Sequence, residues 1–156
     1  MTSEELARCD ENADRAIKVM IGSIVTGAVI PAAINWTVVA AAMGAGCVAI
    51  GKCYGFNLTR KNGWKLVKQF ILGAGFMFLA LNIGSKVIAT IAQVTGIGYA
   101  AGVVLDGVIS AAQAWAVGGC AKEYFRSQAQ GKNASPDKLK EIFRQRFKQY
   151  KDSHKK

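Results

Sequence analysis

The residues best placed to do chemistry are Gly46-Cys-Val-Ala-Ile-Gly51-Lys52, which match G-x-x-x-x-G-K. A phosphate-binding loop of that form needs a preceding strand and a Ser or Thr after the lysine to hold magnesium. Cys53 follows instead, and the surrounding residues read as helix. Thr95-Gly96-Ile97-Gly98 lacks the strand and the third glycine of a dinucleotide fingerprint, so it reads as a helix break at Gly96. The single histidine, His154, lies in a basic tail, which removes Ser-His and Cys-His catalysis. Cys9, Cys47, Cys53 and Cys120 have no C-x-x-C spacing and read as small apolar thiols rather than metal ligands or disulfides. The carboxylates form no convincing pair. No cofactor, metal or catalytic residue is expected, and the chain reads as non-enzymatic.

What remains is the patterning of charge. Val19 to Gly51 is a run of 33 residues without a formal charge, and Gln69 to Ala121 carries only Lys86 and Asp106. Such stretches are kept from water either inside protein or in lipid. The net charge of +10 is segregated. Residues 1–18 hold five acids and three bases; residues 52–68 hold Lys52, Arg60, Lys61, Lys65 and Lys68 with no acid; residues 122–156 hold eleven bases and four acids. Basic blocks of this kind suit an anionic membrane or an acidic protein face. They also suit nucleic acid, but no recognition motif or interleaved aromatic platform accompanies them, so nucleic acid is not an expected partner. The acidic N-terminus does not resemble a secretory signal.

Helices must position these groups. Thr2 and Glu5 form a T-x-x-E capping box, followed by an apolar series through Ala13, Ile17, Met20 and Ile24 that ends near Pro31. A second helix is expected from about Asn35 to Tyr54, stopped by Gly55. A third, capped by Asn57 or Thr59, runs through Trp64, Val67 and Phe70 towards Gly84. A further helix passes through Ile88 and Ile91, with Lys86 near a bend, and the next spans about 99–130. Ser135-Pro136-Asp137 reads as cap, first-turn proline and first-turn acid of a final helix to about residue 152. Strand alternation is absent. The expected class is all-α: five to six helices arranged as two apolar hairpins, 19–51 and 69–121, within residues 1–130, followed by a basic amphipathic helix in 131–156.

The seventeen glycines, about 11% against a norm of roughly 7%, are placed for close helix approach. Gly73, Gly75, Gly98 and Gly102 are the packing candidates. In the last helix Leu139, Ile142, Phe143, Phe147 and Tyr150 share one face, with Arg144, Lys148 and Lys151 beside it. With Arg60, Lys61, Lys65 and Lys68 they are the candidate contacts for a membrane or a partner protein. Hairpin arms of about 16 residues fall short of the roughly 20 that span a bilayer, so shallow or protein-buried hairpins are expected as readily as full spans.

In order along the chain, Ala28-Val-Ile-Pro31, Ile50-Gly-Lys-Cys-Tyr54-Gly55, Ile83-Gly-Ser-Lys86, Thr95-Gly-Ile-Gly98, Gly118 and Ala121-Lys-Glu-Tyr124-Phe125 resemble the YcjF-type domain of unknown function. That family occurs beside, or fused behind, Era-like and dynamin-like bacterial GTPases. Thr95 stands where its members usually carry proline. The resemblance covers about residues 12–127 and implies a membrane-proximal helical module whose GTPase partner acts in trans, with no catalytic residues to carry over. The resulting expectation is a membrane-associated module, charged segments on the cytoplasmic side, that anchors or regulates a partner. The alternatives are a cytoplasmic helical adaptor or homo-oligomer, and a pore-forming hairpin protein.

Overall fold

The computed structural model describes residues 1–27, 32–73 and 99–154. These residues form five α-helices and no strand: α1 (Ser3–Gly27), α2 (Ala32–Cys53), α3 (Arg60–Gly73), α4 (Tyr99–Ala129) and α5 (Pro136–Ser153). The fold is all-α. The expected helix through Ile88 and Ile91, Lys86, and the sites Pro31, Gly75, Gly96 and Gly98 lie outside the described residues.

Local sequence sets the helix ends. The Thr2 hydroxyl accepts from the Glu5 amide at 3.2 Å, and the Glu5 carboxylate accepts from the Thr2 amide at 2.7 Å. This reciprocal box satisfies two amides that a helix start leaves bare. α2 starts at Ala32, earlier than the expected Asn35, and stops at Gly55, whose φ of +84° suits a residue without a Cβ. The amides of Gly55 and Phe56 there close onto the carbonyls of Lys52 and Gly51. The same closure recurs at Gly131, φ +70°, after α4. Thr59 caps α3, its hydroxyl accepting from the Asn62 amide at 3.3 Å. Ser135 has the extended backbone of a cap and precedes Pro136, but its hydroxyl makes no capping bond.

α1 packs antiparallel to both α2 and α4. Pairs along the α1–α4 seam step at helical spacing: Asp10 with Arg126, Asp14 with Lys122, and Ile17 against Gly118. α3 crosses the bundle, with Gly63 on the backbone of Gly44 in α2 and Phe70 edge-on to Tyr124 of α4 at 6.0 Å.

The segment 131–156, expected as a basic amphipathic helix, contributes to this core. Phe143 is fully buried and Phe147 is 7% exposed, in one cluster with Ile17, Cys47, Val117 and Phe125. The apolar face of α5 therefore covers α4. Among the described residues, no helix is long and apolar enough to cross a membrane.

Candidate functional site

The G-x-x-x-x-G-K match lies wholly inside α2, where the amides are used by the helix rather than turned to a phosphate. A Cβ at Gly51 would meet Leu58 at 2.6 Å and Phe125 at 3.1 Å, so that glycine serves packing. Cys47 and Cys120 are buried, and burial pushes both thiols up to about 12, which keeps them protonated and poor nucleophiles. The Cys120 thiol donates to the Leu139 carbonyl at 3.2 Å, tying α4 to α5. His154 stacks on Tyr150, ring centroids 4.2 Å apart.

Polar chemistry concentrates at the end of the bundle that holds the start of α1. The Tyr54 hydroxyl donates to Asp10 Oδ1 at 2.6 Å, and Arg126 Nε lies 3.2 Å from Asp10 Oδ2. Burial, and then the bond to Asp10, raise the Tyr54 phenol above its ordinary value, so the hydroxyl stays a donor. Lys122 Nζ bonds Asp14 at 2.8 Å, and Lys138 bonds Glu123. Asp10 and Asp14 thus join α1 to α2 and α4. Sequence reasoning missed them because Asp10 and Tyr54 are 44 positions apart.

One and two turns further up, the character changes. Near the level of Met20 of α1, which lies against Gly46 of α2 and Gly118 of α4, the sequence supplies cationic and aromatic side chains. Lys18 lies on α1, exposed Arg60 and Lys61 open α3 beside Trp64, and exposed Lys148 and half-exposed Lys151 lie on α5, with exposed Arg144 a turn below. Half-exposed Trp115 and Tyr150 stand 6.4 Å apart, and the Arg146 guanidinium sits 4.8 Å over the Trp115 ring. A groove of about 360 Å³ opens here between α1 and α5, walled by Lys18, Ile21, Trp115, Tyr150 and His154.

Beyond this collar the helices are uncharged apart from Asp106. They are 19–27 of α1, 32–44 of α2 and 99–114 of α4. Antiparallel packing brings all three ends to one pole. Val19 is 70% and Val25 47% exposed there. The neighbouring Ser23 and Thr26 hydroxyls donate back to the carbonyls of Val19 and Gly22, at 3.0 and 2.9 Å.

Of the contact residues read from the sequence, Arg60, Lys61, Lys65, Arg144 and Lys148 are exposed, and Tyr150 and Lys151 half so. Phe143 and Phe147 are core residues and offer no contact surface, because α5 spends that face on α4. Lys65 faces a second, lower groove with Tyr124 and Gln128, and the Lys68 side chain is outside the described set. Gly73 ends α3 and Gly102 lies in the first turns of α4. The tight helix contacts that are described fall at Gly46, Gly63, Gly118 and Gly119, where an added Cβ would strike Met20, Gly44, Ile17 and Arg146.

No curated protein and no solved structure matches this chain. A family model described as a domain of unknown function (DUF697) matches residues 3–152, in keeping with the resemblance read from the glycine and aromatic motifs. That match takes in all five helices, and the chain belongs to the DUF697 family.

Proposed function

We propose that this chain is a non-enzymatic helical module that docks on an anionic membrane and there anchors or regulates a partner protein, a GTPase acting in trans being the partner the sequence resemblance implies. The observation that carries the reading is the axial order of the bundle: an ion-paired base, a collar of Lys, Arg, Trp and Tyr, then a pole uncharged but for Asp106, with exposed valines. Cations and amphipathic aromatics at the edge of an apolar zone are the arrangement that a membrane interface favours.

The dimensions fit partial insertion. From the collar, α1 extends seven residues beyond Met20, α2 twelve before Gly44 and α4 sixteen before Trp115. At 1.5 Å per residue these are about 10, 18 and 24 Å, against roughly 15 Å for half of the hydrocarbon core. Standing upright, α2 and α4 would pass the midplane yet stop short of the roughly 30 Å core, so the described helices enter without a span.

A second reading, a soluble adaptor whose uncharged pole meets a second copy, draws support from the shared core of the described helices. Vesicle flotation separates the two. The chain should float with phosphatidylglycerol-containing vesicles, less with phosphatidylcholine alone, and moderate salt should weaken the binding because the collar's attraction decays over about 8 Å at physiological ionic strength. A chain that stays unbound with both lipids, while sedimenting as a dimer, would establish the adaptor instead.

A further inference from the structure

We propose that the groove between α1 and α5 is a site for one anionic lipid, with its phosphate at Lys18 and His154 and an acyl chain along Ile21, Gly22 and Val25. The inference rests on the membrane reading and gives it a ligand class and a place. Its volume of about 360 Å³ lies within the roughly 300–1,000 Å³ of small-ligand sites. The chemistry of its walls is ordered in the way such a ligand is ordered. Lys18, the last charge of α1, stands at one side, and exposed His154 faces it from the end of α5. Between them lie Ile21 and the rings of Trp115 and Tyr150, which offer apolar faces beside polar tips.

Two features favour an anion with a tail. The first is positive charge. From Arg144 to His154, α5 carries Arg144, Arg146, Lys148 and Lys151 against Asp152 alone, and Arg146 lies directly over the Trp115 wall with its Nη1 buried and without a hydrogen-bond partner. The second is an exposed strip of α1, notched at Gly22 and here called the furrow, that leaves the groove. Lys18, Ile21, Gly22 and Val25 follow one another at i, i+3, i+4 and i+7, so they share a face of α1 that leads into the uncharged pole. A Cβ added at Gly22 would meet nothing within 4 Å, and Val25 beyond it is 47% exposed. With the Ser23 and Thr26 hydroxyls closed onto their own helix, the track presents no free donor to an alkyl chain. An acidic peptide would use the cations but not the furrow.

The test is calorimetric titration of the full chain with dioctanoyl phosphatidylglycerol below its critical micelle concentration. Dioctanoyl phosphatidylcholine and inorganic phosphate serve as comparison ligands, and vesicle flotation is run in parallel. Saturable one-to-one binding of the anionic lipid is expected, at least tenfold tighter than either comparison ligand. Lys18→Glu, which removes the headgroup cation, and Gly22→Phe, which fills open space in the furrow, should each raise Kd at least tenfold. Exposed Lys140→Glu, away from the groove, should leave it unchanged, and all three variants should still float through the rest of the collar. Flotation without saturable short-chain binding overturns the lipid site and leaves the membrane reading standing. Phosphate binding as tightly as the lipid overturns it in favour of a plain anion site. Loss of both flotation and lipid binding in the unaltered chain overturns both readings.

Discussion

Cys47 and Cys120 illustrate what single residues contribute. Both thiols are held in the core against ionisation, at about 12 rather than the ordinary 9.0. The folded chain therefore keeps protons that the unfolded chain releases above about pH 9. Stability from this source is complete below pH 9 and declines as pH rises towards 12. Urea unfolding at about pH 8 and about pH 10.5 should show that decline, and it should be shallower in a Cys47→Ala, Cys120→Ala double variant. An equal decline in both proteins would mean that the thiols are not sequestered. The sequence disclosed these cysteines as small apolar residues because their spacing offered neither a metal site nor a disulfide. It could not disclose the Asp10–Tyr54–Arg126 contact, since an acidic helix start looks the same whether it is solvated or bonded to a tyrosine on another helix. Nor could it show that Ser135 would leave its capping bond unmade; residue type sets the capacity for that bond, and the local rotamer decides its use.

At the scale of elements, helix ends were legible because their determinants are local: the Thr2–Glu5 box, Thr59 before α3, and the positive φ at Gly55. Crossing points were not. Gly63 sits in Arg60-Lys-Asn-Gly-Trp-Lys65, a basic stretch with no small-residue pattern, yet it lets α3 lie on the backbone of Gly44. Gly22, inside an apolar stretch that looked like packing, faces open space. The two positions should respond oppositely to alanine. Gly22→Ala should stabilise by about 0.5–1 kcal/mol through helix propensity alone. Gly63→Ala should be net destabilising, because overpacking against rigid backbone costs about 1–3 kcal/mol and exceeds that gain. Thermal or urea unfolding of the pair measures both. Destabilisation of similar size at the two sites would contradict the crossing described for α2 and α3.

For the whole molecule, the sequence carried the segregation of charge but not its geometry. Hydrophobic periodicity reports which residues avoid water, without saying whether protein or lipid receives them. The stripe of Phe143 and Phe147 went to the core, whereas Val19 and Val25 did not. Antiparallel packing is what gathers the uncharged ends of α1, α2 and α4 into one pole and sets the cations around it. Val25 lies beyond the collar, and exposed Asn12 lies below it among the ion pairs. The central claim, that the chain docks by this pole, is tested most directly by depth-resolved quenching. A single cysteine carrying an environment-sensitive dye is placed at Val25 or at Asn12, with the native cysteines replaced. The protein is then mixed with phosphatidylglycerol-containing vesicles whose acyl chains bear a quencher. Docking by the pole predicts a blue-shifted, strongly quenched signal at position 25 and an unchanged one at position 12; quenching at 12 without 25, or at neither, would contradict it.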